Sequence, residues 1–300
     1  LWYWILMSLL PRVLLTGATG FLGSHLLEAL LNKGHEVVIL KRSSSNIYRI
    51  QNKIDNVISY DVDLQPLDLA FEEQEIDVVI HTAGRYGRDG CSITKIIESN
   101  VMFGVKLLDA CQKYNIDTFI NTDTLLQSCV DNYSLSKKHF SDWLKQCSDE
   151  VQIINLKLEH MYGIKDDNNK FVVWILSQLK NNVAEIKLTP GGQKRDFIYV
   201  SDVVSAFLTV LDENKALPRF SEFEVGTGRS ISVREFVERI LYFYQKSDSK
   251  SQTKLLFGAI PYRKGEAMSV NVNITSLKKI GWQPKVSIDE GLVRIIKELS

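Results

Sequence analysis

Three hundred residues exceed the size of one ordinary domain and imply one large α/β unit or two coupled lobes. Hydrophobic residues make up 45% of the chain, enough for a sizeable core, and 36 basic residues balance 36 acidic ones. That balance excludes the electrostatic footprint of a nucleic-acid binder and the like-charge blocks of a solvated tail.

The four cysteines, Cys91, Cys111, Cys129 and Cys147, are widely spaced and form no CxxC pair. They read as reduced thiols of a cytoplasmic protein, with no disulfide frame and no metal site. The apolar opening from Leu1 to Leu10 lacks a basic flank and is too short to span a bilayer. With Met7 close by and Pro11 following at once, it reads as upstream sequence rather than a signal peptide.

From Arg12 onward, short apolar runs alternate with helical patterns. Val13 to Leu15 reads as a buried strand, followed by a glycine-rich turn and a helix from about Phe21 to Asn32 that Gly34 ends. Further strands are expected at Val37 to Leu40, Val57 to Tyr60, Asp77 to Ile80, Thr118 to Asn121 and Gln152 to Leu158. Helices about Thr94 to Tyr114 and Ser134 to Cys147 fill the gaps. Strands apolar on both faces with helical crossovers specify α/β architecture with a doubly wound parallel sheet. The expected division is a Rossmann dinucleotide-binding domain over 11–158, with 196–229 returning to it. A smaller mixed substrate-binding lobe takes 159–195 and 230–300, where the pattern loosens into loops and helices around Asp166 to Leu188. A strand at Phe220 to Val225 and a helix at Val233 to Tyr244 complete the reading.

The turn Gly17-Ala18-Thr19-Gly20-Phe21-Leu22-Gly23 lies between the first strand and the first helix. Glycines there turn the backbone tightly, let it approach a pyrophosphate and pack helix on strand, while free N–H groups at the helix start favour phosphate. Gly17, Thr19, Gly20, Phe21, Leu22 and Gly23 are therefore candidate cofactor contacts. An acid at the end of the second strand would bind the ribose hydroxyl of NAD, and a basic residue would accommodate the extra phosphate of NADP. The chain has Lys41 and Arg42 there, with no acid between Glu36 and Asp55, which favours NADP(H) over NAD(H). Asp63 and Leu64 after the third strand are placed to flank the adenine. Ala83 and Gly84, in His81-Thr82-Ala83-Gly84, let backbone pass close to the cofactor, and His81 itself reads as a packed histidine.

Tyr133 and Lys137 open the helix after the fifth strand, four residues apart and so on one face. A phenol titrates near pH 10, and a neighbouring ammonium and an oxidised nicotinamide would lower that value enough for proton transfer. Tyr242 and Lys246 match the same spacing on a late amphipathic helix and read as packing. A hydroxyl from the fifth strand should hold the substrate oxygen; Thr122 and Thr124 qualify, and Thr124 is preferred. Asn100, inside a helix, could order water behind Lys137 or simply bend the helix.

These residues, with Tyr162-Gly163 and the run Arg195 to Asp202, resemble the NAD-dependent epimerase/dehydratase family of extended short-chain dehydrogenases. The likeness runs from about Arg12 to Gly281-Trp282-Gln283-Pro284 and Gly291. It implies a nucleotide-sugar substrate and a homodimer through helices around Val101 to Cys111 and Lys138 to Leu144. It also implies diphosphate contacts from Arg195 and Arg263, whose planar forks pair phosphate oxygens. Four stretches, Tyr86-Gly87-Arg88, Phe119 to Thr124, Leu156 to Gly163 and Phe257 to Ile260, are similar to one group within the family. That group reduces CDP-linked 4-keto-3,6-dideoxyhexoses at C4 with NADPH, a step of lipopolysaccharide O-antigen synthesis, and the likeness adds Tyr86, Thr124 and His160 as substrate contacts. One departure is that only nine positions separate Thr124 from Tyr133, where many members carry a longer loop, so the sugar pocket is expected to differ in shape.

A 4,6-dehydratase of the family uses a Thr-Asp-Glu run, whereas this chain has Thr122-Asp123-Thr124 and lacks the glutamate. An NAD-dependent 4-epimerase needs no acid or base beyond Tyr133 and is the alternative. A dinucleotide sensor without turnover would not need the tyrosine–lysine pair. Cys129 with His160 could form an acid/base pair, although a buried thiol and a structural histidine are the simpler reading. Nothing in the sequence points to a metal, nucleic acid or membrane as partner.

Overall fold

Four consecutive residues, Val13–Thr16 (β1), are fully buried, and this strand sits inside the sheet rather than at its edge. The structure, a computed structural model, describes residues 10–87, 90–128, 130–248, 252–263 and 265–299. β1 pairs in parallel with Val37–Lys41 (β2) on one side. β2 continues in parallel to Ile58–Asp61 (β3). On its other side β1 pairs with Val78–His81 (β4), which continues through Thr118–Thr124 (β5) to Gln152–Leu158 (β6), again all parallel. The strand Phe220–Val225 completes a seven-stranded sheet beside β6. Strand order therefore reverses at β1, and the crevice beyond the carboxyl end of such a strand is where ligands of doubly wound sheets bind.

Helices Phe21–Lys33 (α1), Leu69–Glu73 (α2), Ile93–Ile97 (α3), Phe103–Lys113 (α4) and Asn132–Gln146 (α5) connect these strands. On one face of the sheet, Leu107 and Leu108 of α4 and Phe140 and Leu144 of α5 pack with Phe119, Ile153 and Val79 in a continuous core. Truncating one such phenylalanine to alanine costs about 3–5 kcal/mol. Asp131 caps α5 by accepting the Ser134 N–H at 2.7 Å, which starts the helix two residues before the expected Ser134 and puts Tyr133 in its first turn. The helix expected over 94–114 forms, but Glu98–Met102 is a π-turn between α3 and α4.

The chain divides into two compact units. The first runs to Leu158 and takes up Val204–Phe223, and the second comprises Glu159–Val203 and the chain from Glu224 on. In the second unit His160–Tyr162 pairs in parallel with Phe197–Tyr199, and the Phe197 ring stacks on Phe236 with centroids 3.7 Å apart. Asp202 accepts the backbone N–H groups of Lys285 and Val286, and Trp282 donates its indole N–H to the Asp202 carbonyl. Those bonds give the Arg195–Asp202 and Gly281–Pro284 signatures a shared structural purpose. The region around Asp166 to Leu188, expected as loops and helices, contains the helix Phe171–Lys180 and a strand, Glu185–Leu188, paired in parallel with Lys254–Phe257. Its buried–exposed alternation is short, and its partner lies far along the chain. Among the described residues no helix is long and apolar enough to cross a membrane.

Candidate active site

The turn after β1 has the geometry of a phosphate cradle. Gly17 adopts φ +72°, and a Cβ there would meet the Ala83 nitrogen and the Thr82 hydroxyl at 2.7 Å. At Gly23, in the first turn of α1, a Cβ would fall 2.1 Å from the Gly17 carbonyl oxygen. Only glycine permits this turn to close on α1. Gly20 occupies the cap position with no side-chain hydrogen bond on the helix end, which leaves the first-turn N–H groups to an anion. Phe21 and Leu22 are buried beneath it. Arg49 adds a nearly buried guanidinium whose Nη1 lies 3.4 Å from the Thr19 carbonyl, a neighbour that nothing in the local sequence announces.

The end of β4 is tied to that cradle. Thr16 Oγ1 meets His81 Nδ1 at 2.7 Å and accepts the Ala83 N–H at 3.3 Å, while Thr82 donates to the Thr16 carbonyl at 2.7 Å. His81 is enclosed by Phe103, Phe119 and Phe140. Burial, aided by the Lys137 charge, holds its imidazole neutral with a pKa pushed down to about 3. Asn100 is fully buried in the π-turn. It accepts the Arg85 N–H at 2.7 Å and donates to the Arg85 carbonyl and to Ser136 Oγ, both at 2.9 Å. Ser136 in turn donates to the Tyr133 carbonyl at 2.7 Å. Asn100 thus fastens the loop after β4 to the first turn of α5, which is how it bears on Lys137.

Tyr86, Tyr133 and Lys137 come together at this end of the sheet. The Tyr86 and Tyr133 rings lie 4.8 Å apart. Lys137 is 4% exposed, and its ammonium takes part in none of the hydrogen bonds or ion pairs among the described residues. Burial lowers its pKa and Asp123 raises it. The Tyr133 phenol is held well above its ordinary value by burial first, then by Tyr86, Asp123 and Asp131. The lowering expected from Lys137 does not act on it in the protein by itself; every cause raises the value. Thr124 ends β5 with Oγ1 accepting the Leu126 N–H at 3.2 Å, while the buried Thr122 hydroxyl has no partner among the described residues.

At the other end of the cradle, the register of β2 and β3 sets Lys41 opposite Asp61, with Nζ and the carboxylate 3.4 Å apart. Ser43 donates its hydroxyl to Asp61 at 2.9 Å and its N–H to Asp63 at 3.0 Å. Arg42 is exposed beside this cluster, and Leu64 is 78% exposed. Asp61 is the residue that local reading missed, because it reaches the β2 end through strand pairing rather than through sequence proximity.

In the second unit Arg195 is buried and already engaged. Its guanidinium donates to the carbonyls of Lys194 and Ala267 and pairs with Glu266. Arg263 is exposed, and its carbonyl accepts the Glu266 N–H at 3.1 Å. His160 meets the buried Glu159 carboxylate through Nδ1 at 2.6 Å. Arg88 and Cys129 lie outside the described residues. Lys246 sits over the exposed Tyr242 ring at 4.5 Å, a surface contact.

The glycine cradle, the buried ammonium of Lys137 and the unpartnered Thr122 hydroxyl fit a nicotinamide dinucleotide. The first would hold its pyrophosphate, and the other two its nicotinamide end. A strand-order switch, this cradle and a tyrosine–lysine pair beyond β5 define a dinucleotide-dependent oxidoreductase of the short-chain dehydrogenase type. The sequence profile described as the NAD dependent epimerase/dehydratase family matches residues 13–226. The chain is 36% identical over 301 residues to the CDP-abequose synthase of Salmonella typhimurium, covering 96% of this chain and 98% of that one. It is 33% identical to the CDP-abequose synthase of Salmonella muenchen, covering 95% and 97%. Its fold matches the UDP-glucose 4-epimerase of Thermotoga maritima with UDP-glucose at a TM-score of 0.81 and 22% identity, over 96% and 98% of the two chains. The chain belongs to the NAD-dependent epimerase/dehydratase family and is an NAD(P)-dependent oxidoreductase of that extended type.

Proposed function

We propose that the protein reduces C4 of a CDP-linked 4-keto-3,6-dideoxyhexose with NADPH, giving an abequose- or paratose-type nucleotide sugar for lipopolysaccharide O-antigen. The observation that carries this reading is the 36% identity to a CDP-abequose synthase along essentially the whole chain. The site supports it chemically, because Tyr133 is held as the phenol, the form that donates a proton. A bound reduced nicotinamide supplies the hydride for C4. Thr124 holds the substrate oxygen by its hydroxyl, and Tyr133 gives its proton to the alkoxide as C4 is reduced. Lys137 steadies the phenolate that remains until solvent restores the proton. His160, Arg195, Arg263 and Tyr86 are the proposed substrate contacts, with the arginines directed to the diphosphate.

Arg42 is the proposed partner of the 2′-phosphate, since Lys41 is engaged by Asp61. The same Asp61 favours the second reading, an NAD-dependent 4-epimerase, because it brings a carboxylate to the strand end where NAD's ribose would be read. A homodimer is proposed through the helices around Val101 to Cys111 and Lys138 to Leu144, where Met102 and Trp143 are exposed. Light scattering showing a monomer at micromolar concentration would remove that part. The function itself is tested by incubating the protein with NADPH and CDP-, UDP- and dTDP-linked 4-ketosugars, following the nicotinamide band. Oxidation with the CDP sugar well above the others is expected, and no oxidation with any of them would end the proposal.

A further inference from the structure

We infer that Asp123 is the positioning residue and fixed counter-charge of the Thr124, Tyr133 and Lys137 set, keeping it in the protonation state from which reduction starts. Its relevance to reduction rests on the function proposed above; its placement does not.

The placement follows from the strand. Phe119, Asn121 and Asp123 alternate onto one face of β5. That face looks toward α5, since the Phe119 and Phe140 rings meet at 6.3 Å and both pack on His81. The parallel β5–α5–β6 crossover makes α5 run opposite to β5, so the carboxyl end of the strand lies beside the first turn of the helix. From the level of Phe119 and Phe140, Asp123 is about 13 Å along the strand. Tyr133 is about 10 Å and Lys137 about 4–5 Å along the helix in the same direction. The carboxylate therefore arrives beside the tyrosine, within reach of the long lysine side chain.

Asp123 is 5% exposed, and both of its oxygens are used. One accepts the backbone N–H of Thr124 at 2.8 Å, and the other accepts the Asn155 amide at 2.9 Å. Asn155 also donates to Glu222 at 3.1 Å and accepts from Asn121 at 2.8 Å, and Glu222 pairs with Lys157 at 2.8 Å. These bonds fix the strand end that presents Thr124 and hold the carboxylate in a buried position. Lys137 faces Asp123 and His81, and His81 is held neutral. Tyr133 faces Tyr86, Asp123 and Asp131, of which Asp131 is the exposed cap of α5. Asp123 is thus the buried anion common to both. It favours the ammonium at Lys137 and the phenol at Tyr133. In reduction the phenol O–H breaks and the sugar O–H forms; oxidation of a sugar hydroxyl must begin from the phenolate.

The test needs neither sugar nor dinucleotide, so it stands or fails apart from the proposed activity. Wild type and Tyr133→Phe are titrated in parallel at the ultraviolet phenolate band, with circular dichroism reporting the fold, and the difference isolates Tyr133. The phenol should stay protonated to at least the free-tyrosine value of about 10. Asp123→Asn should lower the midpoint by about one unit, and Asp123→Glu should restore it. Asp123→Ser serves the same measurement should the asparagine variant not fold. Phenolate forming in wild type below about pH 9, or a folded charge-neutral variant with an unmoved midpoint, would overturn the inference.

Discussion

Tyr133–Lys137 and Tyr242–Lys246 share one spacing, and both lie on α-helices. The first pair stands at the start of its helix beside the carboxyl end of β5, with the lysine buried and the phenol pushed up. The second lies toward the end of Val233–Ser247, with Tyr242 53% exposed and the ammonium resting on its ring. Spacing puts two side chains on one helical face, which both pairs achieve. Chemistry comes from what the face meets. At Tyr133 it meets Asp123, Tyr86 and a neutral histidine, and at Tyr242 it meets solvent.

The strongest way to break this contrast is to remove each phenol. Tyr133→Phe should lower turnover by about 10²–10⁴-fold while dinucleotide affinity, read by fluorescence titration, changes little. Tyr242→Phe should leave turnover unaltered, and the reverse pattern would place the chemistry at Tyr242 instead.

The histidine beside Lys137 offers a second test. Its pKa falls from 6.5 to about 3 on folding, so between those values the unfolded chain binds the extra proton. The stability due to neutral His81 is complete above the upper value and is lost as pH falls, by about 1.4 kcal/mol per unit. Urea melts of wild type and His81→Gln from pH 7 to 4 should show a shallower slope in the variant. Parallel slopes would show that His81 is not locked neutral.

At the cradle's far end, Arg42→Ala should weaken NADPH by about tenfold, in line with one charge-assisted bond, and leave NADH unaffected. Lys41→Ala should do less, because Asp61 already holds that ammonium. Equal losses for both cofactors would remove the phosphate role. The smallest effect is expected for Lys246→Ala, whose exposed cation–π contact supplies about 0.5–1 kcal/mol to a melt and nothing to catalysis.

Most of the first unit was legible because buried parallel strands and their crossovers write strong, local patterns. Val13 to Thr16 and the glycine turn announce themselves within a dozen residues. Tyr133 was separable from Tyr242 by its place after the fifth strand alone. What escaped was set by pairing at a distance. Asp61 meets Lys41 only through strand register, and Asn155 joins Asp123 only across β5 and β6. Glu266 engages Arg195 from 71 positions away. The π-turn at Asn100 depends on the Arg85 backbone it must hold. No dozen-residue window of sequence contains both partners of any of these.

The central claim, reduction rather than internal epimerisation, is tested most directly by the cofactor balance of purified protein. Protein should arrive largely free of bound dinucleotide and, given a CDP-linked 4-keto-3,6-dideoxyhexose, oxidise one NADPH for each ketosugar converted to a 4-hydroxy product. Protein carrying tightly bound NAD that interconverts two 4-hydroxy sugars with no net oxidation would contradict the account and establish the epimerase instead.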